Sequence, residues 1–258
     1  MLAFVLQACA AGPPPAPSPL QIAGMEARTI IVSPFNIVSS LPPELAGSIG
    51  IVSTALIEHL EAHDKEVHVI GFQAGRDLWR MSMKEVRESG LPRNFKNAAR
   101  VYAQKIGEQI EFDAIIVPSI FVQNANKKRS RIVRWDGAEQ KLEYRGDSRG
   151  VVVASIYVKA ASLFVQVLDR EGNAIHTKRM GLELIQHLRF GGERIRGYSR
   201  REDSDAQLIN NWKVVDDAPP IQDKERVRTG VAAALSPYLS EEVPHPISEM
   251  PEGDAHVE

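Results

Sequence analysis

The spacing of hydrophobic positions changes period several times along the chain, and each change predicts an element. Behind Asn94, Phe95, Ala98, Ala99, Tyr102, Ile106 and Ile110 recur at three- and four-residue steps, which predicts a capped helix with one apolar face. The period then collapses into the continuous run Ala114-Ile115-Ile116-Val117, and Ile120, Phe121 and Val122 extend it past Pro118. Such a run needs cover on both faces, so it predicts a strand at the centre of a sheet.

Upstream, residues 29–35 (Thr-Ile-Ile-Val-Ser-Pro-Phe) predict a short buried strand ended by proline. From Pro42 the stripe Leu45, Ile49, Val52, Leu56 and Leu60 predicts a helix, with Ser40 as its expected cap and an end near Asp64. Residues 67–72 predict a second strand, inside the sheet or next to its interior, and residues 77–89 a more polar helix carrying Leu78, Met81 and Val86. Beyond the central strand, residues 124–150 form a charged excursion with a hairpin signal at Trp135-Asp136-Gly137. Residues 151–168 and 174–180 then predict an antiparallel hairpin turning at residues 169–173. Residues 182–188 fit either a strand or a short helix, and residues 189–220 read as surface loops. Val227, Val231, Ala234 and Leu235 predict a last helix opening at Asp223, and residues 241–258, acidic with three prolines, predict a disordered tail.

Composition narrows the class without naming a chemistry. The chain has 258 residues, 43% of them hydrophobic and 25% charged, with a net charge of -2, enough for one full domain and no global pull toward nucleic acid. Its one cysteine excludes an internal disulfide, and the position of that residue matters more than the count. Residues 1–9 form an apolar run in which Leu6-Gln7-Ala8-Cys9 resembles the lipobox of a bacterial lipoprotein signal, whose cysteine is acylated. The run is short and lacks a basic n-region, which leaves room for a start upstream of Met1. Residues 10–26, with Pro13, Pro14, Pro15, Pro17 and Pro19, read as a semi-extended tether, so the single folded domain is expected over residues 27–240 with an insertion at 124–150.

No catalytic signature is present. The chain lacks a nucleophile elbow, a Walker loop and a dinucleotide-binding glycine fingerprint, and residues 191–197 are glycine-rich without a buried strand before them or a helix after them. His59 and His63 stand at the i, i+4 spacing that can chelate a metal, but the zinc-protease glutamate is displaced to Glu61, so both are read as solvent-facing. No cofactor and no metal are expected. Two basic clusters carry the partner expectation: Lys127, Lys128, Arg129, Arg131 and Arg134 beside Trp135, and Arg189, Arg194, Arg196, Arg200 and Arg201 with Phe190 and Tyr198. Outside the cytoplasm their expected partners are an envelope protein or an anionic glycan or lipid, and not nucleic acid. The alternative is two solvated loop tips.

The order strand, helix, strand, helix, helix, strand, hairpin, helix predicts an α/β domain, a mixed sheet flanked by helices with a closing antiparallel hairpin and a C-terminal helix. With Lys105-Ile106-Gly107, Phe112-Asp113-Ala114-Ile115-Ile116-Val117 and the hairpin turning at Gly172, this order resembles the envelope lipoproteins that share the Tol-Pal protein B amino-terminal fold. That group includes the curli-secretion lipoprotein and the lipoprotein activators of penicillin-binding proteins. Pro118-Ser119 stands where that group has glycine, and residues 124–150 and 182–220 lie outside the resemblance. The resemblance implies a non-enzymatic assembly or regulatory module, anchored through Cys9 and facing the periplasm, with the outer membrane preferred because Ala10 stands where enteric inner-membrane lipoproteins carry aspartate. The alternative is an oligomeric subunit of a secretion or polysaccharide-export complex.

Overall fold

A computed structural model of the chain describes residues 18–127, 132–141, 158–190, 212–217 and 221–239. In chain order the elements are α1 (Pro19–Glu26), β1 (Thr29–Val32), a 3-10 turn (Pro43–Ser48), α2 (Ile49–Glu61), β2 (Glu66–Val69), α3 (Phe72–Glu88), α4 (Phe95–Gly107) and β3 (Ala114–Lys127). They continue with β4 (Ile132–Trp135), β5 (Ala138–Lys141), β6 (Val158–Leu168), β7 (Ala174–Phe190), β8 (Trp212–Asp217) and α5 (Lys224–Leu235). The fold is α/β: a mixed sheet in the order β2-β1-β3-β6-β7-β8, flanked by helices, with β4 and β5 as a hairpin attached to β3. Its β2-β1-β3 half is parallel and its β3-β6-β7-β8 half antiparallel.

The predicted central strand is β3, paired in parallel to β1 and antiparallel to β6. Successive side chains of a strand point to opposite faces, and β3 divides accordingly. Ala114, Ile116 and Ile120 join Ile30 and Val32 in a core covered by α2 and α5, while Ile115 and Val117 join Ile31 against α4 and Trp79 of α3. A third, smaller core holds Ala125, Val133, Trp135, Val158, Ala160 and Leu184. Val158 and Ala160 lie an even number of residues from Leu168 on β6, so the β4–β5 hairpin folds over the same side of the sheet as α3 and α4, farther along β3.

Several expectations change. Residues 19–26 are helical and not part of a tether: Ser18 caps α1 in a capping box with Gln21, Pro19 sits at a first-turn position that needs no N–H, and Leu20 and Ala23 pack on the α2/α5 core. Ser40 caps nothing, since Pro42 precedes the 3-10 turn and Ser48 precedes α2 without a side-chain bond. β2 is the sheet's edge, paired only to β1 among the described residues, with Val69 54% exposed. The next helix starts at Phe72, ahead of the expected Asp77.

Residues 182–188 belong to β7, which opposes β6 with extra residues at Ile175, Leu182 and Ile185. Those bulges bury Leu182, Leu184 and Ile185 together and erase the alternation that would have marked a strand. Within residues 189–220, read as loops, Trp212–Asp217 forms β8 against β7. The expected tail lies outside the described residues.

Candidate functional site

The sheet has two ends, separated by the length of β3. Fourteen residues at about 3.3 Å each give a rise of about 45 Å. At the near end β1, β2 and β3 begin and α1 enters. At the far end β3 stops at Lys127, β4 starts at Ile132, β5 stops at Lys141 and β7 stops at Phe190.

Both predicted basic clusters are bounded by residues of this far end. The ladder runs Ala125 to Val158 to His187, so Lys127 on β3 and Arg189 on β7 lie at one level, two strands and roughly 10 Å apart. The clusters are 62 residues apart in sequence by these two flanks, and no periodicity links them; the shared partner strand β6 brings their edges together. Lys128, Arg129, Arg131, Arg194, Arg196, Arg200 and Arg201 lie outside the described residues, as does Cys9.

The two remaining members of the first cluster have other employment. Arg134 is exposed but donates from Nε to Glu139 Oε2 at 2.5 Å across the β4–β5 pair, which neutralises it locally. Trp135 is 5% exposed and donates from Nε1 to the Ala161 carbonyl at 3.1 Å, so its ring belongs to the core under the hairpin and not to an exposed partner surface. Gly181 permits this: a Cβ there would stand 2.5 Å from Trp135 Nε1.

The near end holds a feature that the sequence pattern hides. A cleft of about 760 Å³ opens between α1, the α2–β2 connection and the residues after α5. Gly24, Met25, Tyr238 and Leu239 supply part of its wall, and Arg28, Asp64, Lys65 and Glu66 bring both signs of charge to it. Lys65 donates from Nζ to the Met25 carbonyl at 3.2 Å; burial lowers its pKa from the ordinary lysine value, with Asp64 and Asp113 acting the other way. Below the cleft, Asp113 accepts from the backbone N–H groups of Arg28 at 2.8 Å and Thr29 at 2.9 Å and pairs with Arg170. The Thr29 bond is the largest influence holding its carboxyl below the usual carboxylate range.

The histidine pair also differs from expectation. His59 is half-buried facing α5, its Nε2 has no hydrogen-bond partner, and desolvation, then the charge of His63, lowers its pKa to about 4. The two rings stand 4.4 Å apart, and His63 Nδ1 engages the His59 carbonyl at 2.8 Å. Among the described residues no group of three or more His, Cys, Asp or Glu side chains is placed to hold a metal ion, and no helix is long and apolar enough to cross a membrane.

No model of a known protein family matches the chain, and no curated protein matches it. Among solved structures, a neuraminyllactose-binding hemagglutinin homolog from Helicobacter pylori aligns over 72% of this chain and 78% of its own, at 10% identity and a TM-score of 0.28. Likeness at that level carries no argument about fold or function.

Proposed function

We propose that the chain is a lipoprotein of the bacterial cell envelope, anchored through Cys9, facing the periplasm from the outer membrane, and acting as a non-enzymatic interaction or assembly module. The observation that carries this reading is the polarity of the fold. The proline-rich segment after Cys9 leads into α1 at one end of the sheet, and the flanks of both basic clusters meet about 45 Å away at the other. A tether at one end and a charged display at the other suits a module that reaches away from its membrane to an acidic protein face or an anionic glycan. The sequence resemblance to Tol-Pal protein B-like envelope lipoproteins points the same way. The alternative, an oligomeric subunit of a secretion or polysaccharide-export complex, would need a lipid-facing strand if it formed a pore, and β6 carries buried residues on both faces.

Two experiments test the reading. In cells fed an alkyne-tagged fatty acid the wild-type chain should become labelled and Cys9→Ser should not, and a wild-type chain that takes up no label refutes the anchor. Reversing Lys128, Arg129 and Arg131 to Glu should abolish recovery of the partner captured by the wild-type chain from detergent-solubilised envelopes. Undiminished recovery removes the basic end from the mechanism.

A further inference from the structure

The cleft at the near end faces the membrane if the chain is anchored as proposed, and its chemistry suggests what fills it. We propose that this cleft receives a zwitterionic phospholipid headgroup, a phosphate joined to a primary ammonium, from the bilayer that holds the lipid anchor. The inference rests on the anchored reading for its source of lipid and on the geometry of the cleft for its specificity.

Eight residues separate Cys9 from Ser18, the cap of α1. At about 3.1 Å per residue in an extended proline-rich conformation they span roughly 25 Å, so the α1 end of the domain stays within that distance of the bilayer surface. On α1, Leu20 and Ala23 turn inward, while Ile22 and Met25, three residues apart and therefore neighbours on the helix surface, are 42% and 72% exposed. Met25 also lines the cleft. An exposed methionine and isoleucine beside a cleft that opens toward lipid fit the apolar zone just below the headgroups.

Inside the cleft, opposite charges are interleaved. Arg28 and Lys65 supply N–H donors for a phosphate, and Lys65 uses one of its three on the Met25 carbonyl. Asp64 and Glu66 supply acceptors for an ammonium. A purely anionic headgroup would meet two carboxylates without compensation, whereas phosphoethanolamine answers both signs. Partial burial of Lys65, visible in its lowered pKa, makes a phosphate partner worth more there than on an open surface.

The test uses the full chain carrying Cys9→Ser, so that binding does not depend on acylation. Titration with sn-glycero-3-phosphoethanolamine, followed by amide NMR, should shift Met25, Lys65 and Leu239 saturably, and vesicles of phosphatidylethanolamine with phosphatidylcholine should sediment the chain. Lys65→Glu combined with Met25→Asp should weaken both by tenfold or more. Ile22→Ser alone, at an exposed α1 position outside the cleft lining, should weaken vesicle binding and spare the soluble headgroup. The proposal is overturned if no saturable shift occurs, if the double variant binds like its parent, or if inorganic phosphate competes as well as the whole headgroup. It is equally overturned if phosphatidylglycerol vesicles bind more tightly than phosphatidylethanolamine. These outcomes are independent of whether Cys9 takes up a labelled fatty acid in cells, so failure of the cleft and failure of the anchor are separable.

Discussion

Asn36 completes the hydrogen bonding of Ile120 with its side chain. Its Nδ2 donates to the Ile120 carbonyl at 2.9 Å, and its Oδ1 accepts from the Ile120 N–H at 3.0 Å. β1 ends at Val32, so among the described residues β3 pairs with no strand on that side from Pro118 to Ala125; Ser33 N–H bonds the Ile116 carbonyl, Asn36 N–H bonds the Pro118 carbonyl, and the Asn36 amide continues the ladder. Asn36 holds a φ of 57°, a left-handed conformation that asparagine tolerates better than most residues. Both residues are buried, so Asn36→Ala should cost about 1–3 kcal/mol for each Ile120 group left unpaired. Urea unfolding measures this. A variant with wild-type stability would mean that water replaces the amide.

Trp135 and Arg134 are neighbours with opposite expected sensitivities. Trp135→Ala removes a buried ring from the hairpin core and should cost about 3–5 kcal/mol. Trp135→Phe keeps an aromatic ring but loses the bond to Ala161 and part of the indole volume, and should cost less, about 1–3 kcal/mol. Arg134→Ala should stay within about 0.5 kcal/mol, because the pair with Glu139 is exposed. Thermal unfolding of the three variants decides whether this end of the hairpin is packing or display.

Docking of α1 depends on Gly24. A Cβ at that position would lie 1.6 Å from the Tyr238 carbonyl oxygen, so Gly24→Ala should force α1 off the residues after α5, at about 1–3 kcal/mol. Faster proteolysis and hydrogen exchange around residues 18–27 should accompany the loss. Gly50→Ala in α2, where a Cβ meets nothing within 4 Å, serves as the control and should keep or slightly raise stability.

Acid should destabilise the fold from about pH 6.5 downward. His59, with its pKa at about 4, and His176, also lowered chiefly by desolvation, are neutral in the folded chain. An unfolded histidine takes up its proton near pH 6.5, so their contribution is complete above that value and is lost as pH falls toward the folded pKa. His59→Leu should flatten the fall in urea midpoint between pH 6.5 and 4. Asp113, whose carboxyl is shifted down by its backbone bonds, adds a further loss only below the ordinary aspartate range. A midpoint that is constant from pH 7 to 4.5 would contradict the burial of His59.

Local signals were legible where the chain determines its own geometry over a few residues. Asn94 caps α4 by accepting from the Asn97 N–H at 2.9 Å, and Asp223 caps α5 by accepting from the Arg226 N–H at 3.1 Å. Asp136 and Gly137 turn the β4–β5 hairpin with positive φ, and Gly172 turns β6 into β7. α1 was read as tether because its hydrophobic periodicity is weak over eight residues and prolines precede it; what holds it is the core beneath Leu20 and Ala23 and the contact of Gly24 with Tyr238. Trp135 was read as a partner contact because an aromatic among arginines looks the same in sequence whether its ring faces solvent or a bulged strand. The cleft was invisible for a related reason: Met25, Lys65 and Tyr238 meet only because three distant segments converge.

By itself the sequence determined the mixed α/β class, the central position of β3, the caps of α4 and α5 and the hairpin turns, because periodicity and capping act within one or two turns of chain. It also carried the lipobox-like Cys9 and the basic runs, which are statements of composition. Tertiary structure alone decided that β2 is an edge, that β7 is one bulged strand, that Trp135 is core, and that α1 and the C-terminal residues enclose a charged cleft. Each of these depends on which surfaces cover one another, and burial is a property of the assembled fold that no local spacing encodes.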